Sequence, residues 1–503
     1  KLSAVLNSVE PVLKRRSLGS SYQIEMPALP LISRLHSQAT FHTSTFHSKP
    51  KSKTKNRVTL TSPTAFSDPF VLQLAETLED SLPPSASSSL QPLRDSSCET
   101  LLSFPWPSLK DEAFRFTDTS LIKSRQIIPV KEPPLPESLK SLSEESDPYL
   151  LIADGFVLNS VSDLPEGVYA GSLSELPKDE RFRKVFDYIG ENFDWADLFW
   201  SVNGLGAPNM AVVFVPANVR VDSPVNFKYI SVEGEDKGSK NLPLSNARVL
   251  VIVEDGGELE IVEEFFSDEA NSESTYWANA VIELVIGKSA KVSHSYVQSQ
   301  STNSAHTKWT SVRQEAESAY EIVEVSTGAK LNRHNLHIRQ LGGDTTTKAS
   351  TFHLSVCDQT HDLHSKLVLD HPRGVSEQLH KCILAHSEGK VVFDGNIEVN
   401  RLAQQTDAGQ LTRSLLLEPK ATVNLKPNLQ IIADDVKCSH GAAISDLEEG
   451  QLFYFRARGI DSDSARKALV FSFAAEVVSK LPNSDIRKKV EGQIKSLLNS
   501  TFS

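Results

Sequence analysis

From Ala211 to about Ile432 the chain keeps restating one phrase: a short run rich in Val, Ile and Leu, a Gly or Pro turn, then another such run. It reads AVVFVPANVRV at 211–221, ARVLVIVEDGGELEIVEEF at 247–265, YEIVEVSTGAKLNRHNLHI at 320–338 and EPKATVNLKPNLQII at 418–432. Short β-branched runs that alternate in polarity and restart after a turn residue are strands, and almost nothing between them has helical spacing. A β-sandwich also supplies many short strands. The phrase persists longer than a usual sandwich, however, and its rungs vary in length. That favours a parallel β-solenoid, in which each coil buries its face against its neighbours.

The flanks have a different texture. FSDPFVLQLAETLEDS at 66–81 spaces Phe70, Leu72, Leu74 and Leu78 for a short amphipathic helix, and LPPSASSSLQPLRDSS after it reads as a linker or loop. Further on, Phe182, Val185, Phe186, Ile189, Phe193 and Trp195 lie near helical spacing. The expected organisation is a mainly helical N-terminal domain at 66–204, a solenoid core at 205–445 and a C-terminal helical domain at 446–503. In the last of these, Ser462 or Asp463 can cap a helix whose apolar face is Ala468, Leu469, Ala475, Val478 and Leu481, and Pro482 stops it. A second helix follows through Ile486, Val490, Ile494 and Leu497. Two short helices cannot bury both faces on each other, so part of that surface is expected to meet the solenoid or a partner.

Charge is unevenly placed. Residues 1–57 hold ten of the 52 Lys and Arg but only two of the 64 acids, Glu10 and Glu25, leaving 42 basic against 62 acidic residues in the rest. A body that acidic repels phosphate backbones, which argues against nucleic-acid binding. The acid-free, hydroxyl-rich, Arg-poor stretch from Met26 to Ser67 has the composition of an organellar transit peptide, of the chloroplast more than the mitochondrial kind. Residues 1–65 are therefore expected to be a presequence, with 1–25 read as sequence upstream of a start at Met26. No apolar run approaches the length that spans a bilayer, so no membrane insertion is expected. Cys98, Cys357, Cys382 and Cys438 have no short spacing, which suits a reducing compartment better than a disulfide framework.

The chain has no G-x-x-x-x-G-K-[ST] phosphate loop and no G-x-S-x-G nucleophile elbow. Eleven of its fourteen histidines follow residue 293, with His353, His361, His364, His371, His380 and His386 clustered near Cys357 and Cys382. His361 and His364 are three apart, on opposite faces of a strand, and no C-x-x-C supports them. These read as surface or hydrogen-bonded residues rather than metal ligands. Cys438 and His440 differ: at i and i+2 on a strand they share one face, about 6.5 to 7 Å apart. Two soft ligands on one face make half of a tetrahedral metal or Fe–S site. They equally suit a buried thiol and a hydrogen-bonded imidazole before the Gly441 turn. Asp434 and Asp435 are hard ligands, so any remaining ligands would come from a distant rung or another chain.

LHKCILAHSEGKVVFDGNIEVNRLAQQTDAGQLTRSLLLEPKATVNLKPNLQIIADDVKCSHGAAISDLEEGQLFYFRARGI, at 379–460, closely resembles the core of the SufD family of the SUF iron–sulfur cluster assembly machine. ADDVKCSHGA followed by QLFYFRARGI is the most specific part. The likeness runs upstream through VFVPANVRVDSPV and, more weakly, to SLKDEAFRFTDTSLI, covering roughly 66–503. The resemblance implies a right-handed parallel β-helix pairing with the paralogue SufB, and C-terminal helices docking the ATPase SufC, which would carry the missing phosphate loop. It implies a non-catalytic scaffold subunit of a plant chloroplast, in the stroma. It places His440, and less firmly Cys438, at the SufB interface, contributing to iron acquisition and nascent cluster formation, with His440 the candidate iron ligand. Cys357 and Cys382 are expected to be structural. The family complex is linked to a reduced flavin, but no motif assigns flavin contacts here. Two alternatives remain: a homodimer in which two copies of Cys438 and His440 meet, and a polysaccharide-acting β-helix enzyme using Asp434, Asp435 and Arg401.

Overall fold

The computed structural model describes residues 68–83, 88–134, 148–189, 196–267 and 273–501; the stretch 1–65, expected to be a presequence, lies outside them, as do Phe193 and Trp195. The chain is a parallel β-solenoid of about 7 turns, each coil giving one strand to each of two ten-stranded sheets. Trp277 pairs with Ala305 and Ala305 with Leu331, so successive coils return after 28 and 26 residues. Along a strand such as Thr406–Leu416, Ala408, Gln410 and Thr412 are buried in the lumen while Asp407 and Arg413 face out, the two-residue period that the sequence alternation requires.

The coils turn on a repeated device. Ser289, Glu317, Asp344, Arg373 and Gln405 each adopt a left-handed conformation with φ between 57° and 63°. A non-glycine residue there costs roughly 1–2 kcal/mol. The cost is offset because each amide bridges to the next coil: Ser289 N–H donates to the Ala316 carbonyl at 2.9 Å, Glu317 to Gly343 at 2.9 Å, Asp344 to Pro372 at 3.1 Å and Arg373 to Gln404 at 2.8 Å.

Within the stretch expected to be mainly helical, four short strands join the sheets. Gln126–Pro129 and Tyr149–Ala153 pair in parallel with Asn241–Val253 and Val225–Ile230. Phe156–Val157 and Tyr169–Ser172 pair antiparallel and finish this end of each sheet. The expected helix is present as Pro69–Ser81, but it buries Val71, Leu74, Ala75 and Leu78 and leaves Leu72 in solvent. The stretch taken for a linker contains a second helix, Gln91–Ser103, which accommodates Pro92 in its first turn, where no N–H is needed. With Leu198–Gly206, these helices cover the outer face of the first sheet around Trp106, Phe199 and Trp277.

At the C-terminus the cap is Asp461, whose Oδ1 accepts from the Ser464 amide at 2.8 Å, rather than Ser462 or Asp463. Helices Ser462–Val478 and Ser484–Thr501, with the turn between them, bury Val470, Ala474, Val477, Leu481, Val490 and Ile494 on the outer face of the second sheet, against Val325, Phe352, Leu354 and Ile383. Leu469 and Ala475, expected on that face, are only half-buried. The solenoid thus takes most of the apolar surface that the two helices carry.

Candidate functional site

Both sheets stop abruptly at the far end. Thr422–Ile431 pairs only with Lys390–Val399, and Val436–Ser445 only with Thr406–Leu416; among the described residues no further strand follows. Ile431 and Ile444 are 45% and 55% exposed, although Val399 and Ser414, in register with them on the preceding coil, are buried in the lumen. An unpaired and partly apolar edge is what proteins ordinarily avoid.

Cys438 and His440 lie on this last strand. Cys438 is in register with Ala408 and His440 with Gln410. Because Ala408 and Gln410 point into the lumen, so do Cys438 and His440, on one face at the open mouth. Cys438 is half-buried against the main core, and His440 is exposed. Burial pushes the Cys438 thiol up from its ordinary value, the Ala408 backbone opposes this and the Asp407 charge adds to it. A metal arriving there would have to displace the thiol proton, whereas a neutral imidazole presents a lone pair at once. A groove of about 500 Å³ runs along the opposite, outer face of the same strands, lined among others by Lys348, Glu377, Gly409, Ser439, Glu476 and Lys480. Among the described residues no group of three metal-ligating side chains converges anywhere. Cys438 and His440 are, among the described residues, the side chains of ligand type that this face of the last strand presents.

The other candidates lie apart. His353, His361 and His380 are buried in the lumen and hydrogen-bonded, to Glu324, Asn332 and Thr351 respectively, while His364 contacts Asp362 at 3.0 Å. Cys382 is fully buried, and burial pushes its thiol up to about 12; Cys357 is half-buried with its thiol also raised by burial. Asp434, Asp435 and Arg401 sit exposed on the coil corners outside the lumen.

A buried ionic core that the motif search did not reveal fills the middle of the lumen. Glu263 takes Lys308 Nζ at 3.0 and 2.7 Å, His294 Nε2 at 2.8 Å and the Tyr229 hydroxyl at 2.7 Å. Despite burial, the Lys308 charge and the His294 hydrogen bond hold its carboxyl far below the usual range. Glu324, two coils further along with Tyr296 between them, takes His334 Nδ1 at 2.8 Å and His353 Nε2 at 3.0 Å. The missing signal was the coil repeat itself: once the strands are stacked in register, Glu263, Tyr296 and Glu324, 33 and 28 residues apart, fall into line.

Outside the solenoid, the short helix Glu449–Arg456 packs through Phe455 but leaves Phe453 71% exposed and Tyr454 partly so.

Residues 235–473 match the family described as SUF system FeS cluster assembly, SufBD core domain. The chain is 60% identical over 462 residues to Protein ABCI7, chloroplastic, of Arabidopsis thaliana, covering 90% of this chain and 96% of that protein. It is 33% identical over 408 residues to an iron–sulfur cluster assembly SufBD family protein of Synechocystis, covering 79% and 88% of the two. With the iron–sulfur cluster assembly protein SufD of Escherichia coli it shares 25% identity over 401 residues, 79% of this chain and 90% of that one.

Proposed function

The chain belongs to the SufBD family of SUF iron–sulfur cluster assembly proteins and is SufD-like, and from that premise we propose that it is a non-catalytic scaffold subunit whose open coil is completed by the paralogue SufB. The observation that carries this reading is the unfinished end: two edge strands with free backbone groups, exposed Ile431 and Ile444, and a Cys438–His440 pair facing the mouth. A second solenoid abutting this end pairs the free edges, covers the isoleucines and brings the missing ligands to His440. Iron and nascent cluster are the cargo of the joint site. Exposed Phe453 and Tyr454, beside the C-terminal helices, offer the aromatic anchor by which an ATPase subunit, SufC, docks. The relative named chloroplastic, with the presequence-like composition of 1–65, supports action in the chloroplast stroma.

The test is co-expression of this chain with SufB and SufC. We expect one particle containing both partners, in which His440→Ala preserves the assembly but prevents cluster formation, read by the visible absorption of the purified complex. A substituted complex that builds clusters at the normal rate would remove His440 from the mechanism. A chain that pairs only with itself would favour the homodimer.

A further inference from the structure

His440 stands at the end of a column. By register, Ala349, Gln378, Gln410 and His440 occupy successive coils of the second sheet, each pointing into the lumen. Gln410 is 2% exposed, and its Nε2 donates to Gln378 Oε1 at 2.8 Å. In this orientation Gln410 Oε1 is buried without a partner among the described residues, as is Gln378 Nε2 on the coil behind. A buried carbonyl oxygen left unpaired costs about 1–3 kcal/mol, so its persistence asks for a donor. In register with it on the mouth side is His440.

The opposite sheet holds Gln410 in place. A Cβ on Gly395 would collide with Gln410 Nε2 and would lie 2.6 Å from Phe393 Cζ. Glycine at 395 is therefore what gives the Gln410 amide room to lie across the lumen. Three residues far apart in sequence, Gln378, Gly395 and Gln410, thus converge on one orientation of one amide.

We infer that Gln410 is the positioning residue of the half-site: its free Oε1 accepts a ring N–H from His440 and turns the other ring nitrogen, with its lone pair, to the open mouth. This rests on the cargo-binding role proposed for His440. An imidazole that ligates a metal ordinarily donates its second nitrogen to a carbonyl or carboxylate, which fixes the tautomer and raises its basicity. Here a side-chain amide does this, anchored to the coil behind it. Gln410 does not touch cargo; it acts through His440.

Two readouts test this with the full chain, Gln410→Leu to remove the acceptor and Gln410→Glu to keep an oxygen in place. The first is the tautomer of His440, read by 15N–1H correlation on histidine-labelled protein, with His440→Ala assigning the signal. We expect one tautomer in the parent and in Gln410→Glu, and a mixture in Gln410→Leu. An unchanged His440 signal in Gln410→Leu overturns the proposal, whatever the activity. The second is cluster formation in the assembled complex, where loss of such a supporting hydrogen bond slows the rate about 10–100-fold and Gln410→Glu recovers most of it. Normal assembly by Gln410→Leu beside a dead His440→Ala overturns the positioning role and leaves that of His440 standing. If His440→Ala assembles normally, the cargo reading fails, and the tautomer alone then decides the contact. Thermal melting of each variant identifies any that is misfolded, in which case Gln410→Met, close in volume but without the amide, replaces Gln410→Leu.

Discussion

At the scale of single residues, the lumen spends its polar groups in two ways. Around Glu263 they neutralise one another: Lys308, His294 and Tyr229 leave no carboxylate lone pair facing hydrocarbon. Removing one charge of such a set costs far more than the pair contributes, because the other stays buried and uncompensated. Lys308→Met should therefore destabilise the fold by about 3–5 kcal/mol, and adding Glu263→Gln should restore part of it. Urea denaturation of the two variants checks this, and equal losses would mean that the charges are not coupled. At the mouth the polar groups are left open instead. Cys438 and His440 were legible in the sequence because their i, i+2 spacing puts them on one face. Gln378 and Gln410 were not, because a glutamine carries no local signature and its meaning here depends on a partner 32 residues away.

At the scale of elements, the last strand differs from the strands before it by its neighbours more than by its composition. Val436–Ser445 makes one ladder where an interior strand makes two. Ile444 is over half exposed on it, so Ile444→Lys should shift the stability of the chain by no more than about 0.5 kcal/mol. A lysine placed inside the expected contact should nonetheless weaken association with the partner solenoid, by at least tenfold if the side chain is buried there. Size-exclusion binding at several concentrations measures this, and undiminished association would move the interface elsewhere. The strands themselves were readable from their β-branched alternation. The helices were read less well. Leu72 and Leu469 were assigned to buried faces from spacing alone, but which stripe of a helix is buried is set by the sheet it lands on. Gln91–Ser103 was hidden by a proline that a first turn tolerates.

At the scale of the whole molecule, the histidine-rich lumen makes the fold sensitive to acid. Burial holds His306, His337 and His361 down at about 3 from an ordinary 6.5. Because the folded values are depressed, the stability they contribute is fully present above about pH 6.5 and drains away as pH falls toward 3. Asp154 works the other way: burial raises it from 3.8 to about 7, so its contribution is fully present below 3.8 and lost as pH rises through 7. His294 and His380 are held down likewise, and Asp197 and Glu260 are raised by burial like Asp154; the depressed imidazoles outnumber the raised carboxyls, so the net stability falls between pH 6 and pH 5. The urea midpoint should fall steeply over that interval, and a flat midpoint would show that the lumen imidazoles are not held neutral.

The two ends of the solenoid also differ in kind. One is finished by short antiparallel strands, Phe156–Val157 and Tyr169–Ser172, and the other is bare. A rod that is sticky at both ends grows into a fibre. A rod with a single live end has a valence of one: once a neighbour has docked, no template remains for a third. The hazard of an exposed sheet edge is contained here by topology, which limits head-to-head growth to a pair.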